Sequence, residues 1–116
     1  MNLLIITLSE IDYKEDVFLA LQSVGIQKAS VWDGKNLNHS LESEFSLFNG
    51  FFSGGDPHEG EKLIIIAPIE HVDDAKELIS NLEAGGVPVN KENVLSLYVV
   101  PLALAFDNST GLVENK

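Results

Sequence analysis

Three histidines are the side chains best suited to binding a metal: His39, His58 and His71. Residues 56–59 read Asp-Pro-His-Glu, so carboxylates lie close to the imidazole of His58. Zinc sites need three or four nitrogen, sulfur or oxygen ligands in a fixed geometry, and these histidines do not recur at a known ligand spacing. Ordinary surface histidines are the simpler interpretation, although copies of His58 could meet across an interface and form a metal site.

The residues that could act as nucleophiles lack the partners that catalysis needs. Ser9, Ser40 and Ser53 lie near acidic residues, but the chain has no nucleophile-elbow string and no histidine placed as a base. The glycine pairs at 54–55 and 85–86 lack the spacing and the lysine of a phosphate-binding loop and are typical of turns. The sequence therefore favours a protein that is not an enzyme, and it identifies no cofactor.

The charge balance argues against nucleic acid as a partner. The 116 residues include seven lysines, no arginine and eighteen acidic residues, which gives a formal net charge of −11. Binding to DNA or RNA depends on Lys and Arg side chains that replace the counterions around phosphates. Anionic membranes attract basic segments for the same reason. We expect neither of them to be a partner.

The length predicts a single domain over residues 1–116, because typical domains have about 100–150 residues. The absence of cysteine excludes disulfides and thiolate metal sites. The apolar run Leu3–Leu8 is far shorter than the roughly 20 residues of a membrane helix, and it lacks the layout of a signal peptide. We therefore expect a cytoplasmic protein that does not insert into a membrane.

A strand–helix unit occurs twice in the sequence, and a β-rich run closes each copy. The six runs are Leu3–Ile6, Asp12–Val24, Ala29–Trp32, Leu63–Ile66, Glu70–Leu82 and Val94–Val100. Asp12 followed by Glu15 predicts the start of the first helix, and Gly25 predicts its end. The order β-α-β-β-α-β predicts an α+β, ferredoxin-like sandwich, in which two helices cover one face of a four-stranded antiparallel sheet.

The first and third predicted strands are apolar on both faces. In Leu63–Ile66, for example, residues that alternate between the two faces of a strand are all Leu or Ile. In an isolated domain of this type, one face of the sheet would meet water. The pattern therefore predicts a covered second face, by self-association or, alternatively, by a long loop or the C-terminal tail.

Residues 36–60 form a long insertion between the second and third strands, and they contain four of the six phenylalanines: Phe45, Phe48, Phe51 and Phe52. Loops of this length are either functional or disordered, and disordered segments are poor in aromatic residues. Two hypotheses remain open. The segment docks on a partner protein or closes over a ligand, or it packs into the protein's own oligomer.

Several short strings follow one another in the order in which a known family has them. They are Ala20-Leu21, Val24–Gln27, Val31, Ile64–Pro68, Tyr98–Leu102 and Thr110-Gly111. Together they resemble the PII nitrogen-regulatory signalling proteins and their PII-like relatives, over most of the chain outside residues 36–60. The resemblance implies a regulatory protein whose ferredoxin-like monomers form a trimer around a core lined by the sheets. It also implies that residues 36–60 are the T-loop, which engages partners.

The resemblance does not extend to the residues with which that family binds ATP at the subunit boundary. Most members have Gly-Arg-Gln at the loop base, Gly-Asp-Gly-Lys before the last strand, and two arginines just before the Thr-Gly pair. The matching positions here are Asn38–Ser40, Asn93–Ser96, Asp107 and Ser109. Charge-assisted hydrogen bonds to phosphate are the strong ones. We therefore expect the usual ATP contacts to be lost, and a different small molecule or a partner protein to be bound.

The remaining candidates for binding lie near the loop base and the subunit boundary that the resemblance implies. Lys35 and Lys91 could supply positive charge if the loops bring them inward. Trp32 could stack on a ligand, although large aromatic residues more often anchor a core or an interface. The full candidate set for ligand or partner binding is Trp32, Lys35, Asn38, His39, Phe45, Phe48, Phe51, Phe52 and Lys91.

A second family leaves a different function open. The divalent-cation-tolerance (CutA) proteins share the ferredoxin-like fold and the trimer. Because a trimer could assemble a metal site from copies of His58, a trimeric divalent-metal-binding protein is the alternative prediction.

Overall fold

The computed structural model describes residues 1–35, 37 and 60–115. These residues form two α-helices, a four-stranded sheet and a separate two-stranded hairpin. In chain order the elements are β1 (Asn2–Leu8), α1 (Lys14–Val24), β2 (Ser30–Lys35), β3 (Glu61–Ile69), α2 (Val72–Ala84), β4 (Leu95–Pro101), β5 (Leu104–Asp107) and β6 (Gly111–Glu114). A single 3₁₀ turn, Ile11–Tyr13, precedes α1.

The sheet has the strand order β2-β3-β1-β4, and every neighbouring pair is antiparallel. At its centre Ile5 of β1 lies between Ile66 of β3 and Tyr98 of β4. Each helix connects two strands that are not adjacent, so the first and second strand–helix–strand units interleave. This is the predicted ferredoxin-like α+β arrangement, and it confirms the fold class.

The hydrophobic core lies between the two helices and one face of the sheet. Alternate residues of β1 and β3 are buried on this face, as the two-residue period of a strand requires. The core residues from the sheet are Leu4, Ile6, Leu8, Leu63, Ile65 and Ile69, and those from the helices are Val17, Ala20, Leu21, Ala75, Leu78 and Leu82. No helix in the described part of the chain has the length and apolar character needed to cross a membrane.

Helix α1 ends at the predicted residue but begins later than predicted. Gly25 has a φ of 81°, and its N–H bonds to the carbonyls of Gln22 and Leu21, which forms the predicted left-handed end. Asp12 does not cap the helix, because it lies inside the 3₁₀ turn; the capping position of α1 is Tyr13, which makes no side-chain cap bond. The chain therefore enters α1 through a tighter turn than the sequence predicted.

The second face of the sheet, which we call the open face, is not covered by either helix. Cross-strand pairing assigns it the residues Leu3, Ile5 and Thr7 of β1, Ser30, Trp32 and Gly34 of β2, Lys62, Ile64, Ile66 and Pro68 of β3, and Ser96, Tyr98 and Val100 of β4. Trp32 is 52% exposed and Tyr98 is 57% exposed. The large side chains on this face remain accessible to a partner.

The C-terminal hairpin, β5 and β6, was not predicted from the sequence. Its strands pair with each other and form a sheet of their own. The N–H of Leu102 bonds to the carbonyl of Met1 (3.1 Å), so the hairpin begins beside the residue that precedes β1. Leu104, Phe106 and Leu112 share one face of the hairpin by register, and each is more than half exposed. We call this the outer face of the hairpin.

Candidate functional site

Trp32 and Lys35 lie on opposite faces of the same edge strand. Trp32 pairs with Ile64 and belongs to the open face, whereas Lys35 pairs with Glu61 and lies on the side of the helices. Gly34 adjoins Trp32 on the open face, and a Cβ there would lie 2.8 Å from Cδ1 of Ile64. Ile64 therefore packs over the backbone of β2 next to the indole. Trp32 and Lys35 cannot contact one ligand from the same face of this strand.

Lys35 and Lys91 lie at the same end of the sheet but at its opposite edges. Lys35 ends β2, while Lys91 lies four residues before β4 and is exposed. Two other strands separate β2 from β4, which is a distance of roughly 14 Å at about 4.8 Å per strand. Within one chain the two predicted cations are therefore far apart.

A cluster of polar side chains joins the hairpin turn to the loop before β2. Nζ of Lys28 lies 2.8 Å from Oδ2 of Asp107 and donates a hydrogen bond of 2.6 Å to Oγ of Ser109. The N–H and the hydroxyl of Ser109 both donate to Oδ1 of Asp107, at 2.7 and 2.6 Å. Both carboxylate oxygens of Asp107 are thus engaged, and we call this group the Lys28 latch.

The latch lowers the pKa of Asp107 well below the usual range of an aspartate. The largest cause is the hydrogen bond from Lys28, followed by the two bonds from Ser109. Each of these bonds favours the charged carboxylate over the protonated form. Lys28 itself has a φ of 59°, a left-handed backbone that is uncommon for a residue with a side chain.

The hairpin crosses one end of the sheet from edge to edge. It begins after β4 beside Met1, and its turn reaches Lys28, two residues before β2. Crossing three strand spacings requires roughly 14 Å, and four to five extended residues at about 3.3 Å each cover this distance. The latch is therefore at the far side of the sheet from the point where the hairpin starts, and at the opposite end from Lys35 and Lys91.

The structure provides no metal site from the residues it describes. No group of three His, Asp or Glu side chains comes together among residues 1–35, 37 and 60–115. His71 is exposed and stands immediately before α2. His39 and His58 lie outside the described residues, as do the other predicted binding residues Asn38, Phe45, Phe48, Phe51 and Phe52.

A shallow groove of ≈ 260 Å³ lies between α1 and α2 on the outer surface. Two of its three polar side chains are engaged, because Nδ2 of Asn81 donates to Oγ of Ser23 (3.1 Å), which donates to the carbonyl of Ala20 (2.7 Å). The third is the carboxylate of Asp16. The rest of the lining is mainly apolar, with Leu19, Leu82 and Val87 contributing. The groove offers little polar recognition to a small molecule.

Sequence reasoning missed Lys28 and the contact it makes with Asp107, which is 79 residues away. The available signal was indirect. Asp107, Asn108 and Ser109 precede Thr110-Gly111, a composition typical of a tight turn between strands. That turn predicts a hairpin, but nothing in the local pattern identifies Lys28 as its partner.

No protein-family model matches the chain, and no curated protein matches it either.

Proposed function

We propose that the protein is a PII-like regulatory protein of the cytoplasm, that it acts as a homotrimer, and that it is not an enzyme. It binds a small molecule or a partner protein at its subunit boundaries, without the ATP contacts of the family it resembles. The observation that carries the proposal is the open face. A sheet whose uncovered face holds Ile5, Ile64, Ile66, Trp32 and Tyr98 supports assembly around that face.

The latch supports the loss of the usual ATP contacts. Asp107 and Ser109 stand where the resemblance implies arginines, and both are bonded to Lys28. A triphosphate brought to this turn would meet the carboxylate of Asp107, and it would have to compete with that carboxylate for the charge of Lys28. Such competition opposes binding, because the carboxylate already supplies the charge-assisted bonds that phosphate would make.

A ligand at a subunit boundary is consistent with the positions of Lys35 and Lys91. They lie at the same end of the sheet but on opposite edges of one chain. If the β2 edge of one chain lies next to the β4 edge of its neighbour in a ring of copies, the two lysines come together between chains. A boundary of this kind suits a small anionic ligand or an acidic segment of a partner.

Calorimetric titration with ATP and ADP in the presence of magnesium tests the loss of the ATP contacts. We expect no saturable binding up to about 1 mM nucleotide, because the arginines and the lysine with which the family binds phosphate are absent. Asp107→Arg with Ser109→Arg restores the charges of the family pattern and is the matched variant. A dissociation constant in the low micromolar range for the unmodified chain would contradict the proposal.

The role of residues 36–60 is tested by Phe48→Ala and Phe52→Ala. If these phenylalanines serve a partner, the melting temperature stays nearly unchanged while capture of that partner is lost. If they serve the fold or the assembly, each substitution lowers the free energy of unfolding by roughly 3–5 kcal/mol, as core truncations do. Phe18→Ala, on the partly exposed side of α1, is the control for loss of an aromatic side chain elsewhere.

A further inference from the structure

Within the part of the chain that the structure describes, nothing packs on the outer face of the hairpin. Phe106 is 75% exposed and Leu112 is 66% exposed, and Leu104 lies beside them on the same face. A two-stranded hairpin is marginally stable in water without further packing. Here its opposite face is tied to the domain by the Lys28 latch, and Asp107 lies on that opposite face. The latch thus holds the hairpin in place with its apolar outer face turned away from the domain.

The open face of the sheet is a second uncovered apolar surface on the same chain. Both surfaces are exposed at once in one copy, so the hairpin does not cover the sheet of its own chain. Trp32 and Tyr98 leave roughly 160–270 Å² of the open face uncovered, and Phe106 leaves roughly 110–190 Å² of the hairpin, since an aromatic side chain carries roughly 150–250 Å². In a contact between the two surfaces, one copy contributes the first area and its neighbour contributes the second.

The two surfaces also have complementary charges. Among the strand residues of the open face, Lys62 is the only charged one. On the outer face of the hairpin the only charged strand residue is Glu114, which pairs with Leu104. All other strand residues on both surfaces are uncharged, although the chain has a net charge of −11. Copies of so acidic a chain meet the least local charge repulsion where such nearly uncharged surfaces come together.

The spacing of charged and apolar residues is the same on the two surfaces. On β3, Ile64 follows Lys62 by two residues; on β6, Leu112 precedes Glu114 by two residues. Two residues of a strand span roughly 6.6–6.8 Å. When Glu114 of one copy contacts Lys62 of another, Leu112 and its cross-strand neighbour Phe106 lie opposite Ile64 and Trp32.

We propose that the outer face of the hairpin of one copy packs on the open face of a second copy, with Glu114 paired to Lys62 of the partner. The contact rests on the self-association proposed above and specifies its residues. It joins two different surfaces, so it is head-to-tail, and a closed ring of copies satisfies every surface. If the open faces of two copies packed on each other instead, the result would be a two-fold dimer.

A charge exchange tests this contact in the full chain by sedimentation equilibrium. Glu114→Lys and Lys62→Glu each place like charges opposite one another, and we expect each to weaken association by roughly 3- to 10-fold. The double variant restores opposite charges, and we expect association within about 2-fold of the original. Glu77→Lys, on the exposed surface of α2, makes the same change of net charge as Glu114→Lys without touching either surface and should have no effect.

A cross-link provides the second readout. The chain has no cysteine, so Ile64→Cys and Leu112→Cys introduce the only thiols. Copies carrying one substitution each, mixed and oxidised, should form a disulfide-linked pair, whereas copies carrying only Leu112→Cys should not. An oligomer that shows neither charge rescue nor this cross-link overturns the contact but leaves the proposed assembly standing. A chain that stays monomeric at about 100 µM overturns both.

Discussion

Trp32→Ala should weaken self-association strongly, because this side chain is the largest one left half-exposed on the open face. Trp32 is 52% exposed, which leaves roughly 100–130 Å² of a side chain of roughly 200–250 Å² available to a partner. At about 25 cal/mol per Å², covering that area stabilises each contact between copies by about 3 kcal/mol. Its loss corresponds to an increase of about 100-fold in the dissociation constant.

Sedimentation equilibrium over a range of concentrations measures this change directly. Leu19→Ala is the matched control, because Leu19 is 64% exposed but lies on the outer surface of α1. Trp32 is also the only tryptophan, so its emission reports the environment of the open face. We expect the emission of the unmodified chain to move to longer wavelength on dilution. If Trp32→Ala and Leu19→Ala alter association equally, the open face is not the surface on which the copies assemble.

The remaining predictions concern the latch and the end of α1. Asp107→Asn should destabilise the protein relative to the original chain. Because folding lowers the pKa of Asp107, the difference should be fully present above the ordinary aspartate pKa of about 4 and should shrink as the pH falls below it. Added salt should also reduce this difference in stability. Urea unfolding at several pH values and ionic strengths will measure both effects. A difference that stays constant down to pH 2 would contradict the role of the ion pair. Gly25→Ala should lower the free energy of unfolding by about 1–2 kcal/mol, because a φ of 81° is strained for a residue with a side chain. No atom lies within 4 Å of the added Cβ, so no steric clash adds to this cost. Gly85→Ala, at a φ of −81°, is its control and should cost less.

The fold was predictable because its signals are local and periodic. The apolar runs around Ile5 and Ile65 identify the two central strands, and the helical spacing from Val17 to Leu21 identifies α1. The same reasoning identified the second face of the sheet as apolar and predicted that it is covered, since Ile64 and Ile66 are too apolar for a strand that faces water. The boundaries were less accurate, because the strands extend beyond the apolar runs into polar residues such as Glu61.

The hairpin and the latch were not predictable by the same means. β5 and β6 have only four residues each, and their exposed apolar side chains do not alternate strictly with polar ones. The partner of Asp107 is 79 residues away in the chain, and pairing at that separation depends on the topology of the whole sheet. Lys35 and Lys91 were considered together because each could supply positive charge to a ligand. Within one chain, however, they lie at opposite edges of the sheet.

The mass of the protein in solution at micromolar concentration tests the central claim most directly. The chain has a mass of 12.7 kDa, and a ring of three copies has a mass of about 38 kDa. Sedimentation velocity should therefore give one main species near that mass, with dissociation on dilution. A single species at the mass of one chain, unchanged up to about 100 µM, would contradict assembly through the open face and with it the proposed function.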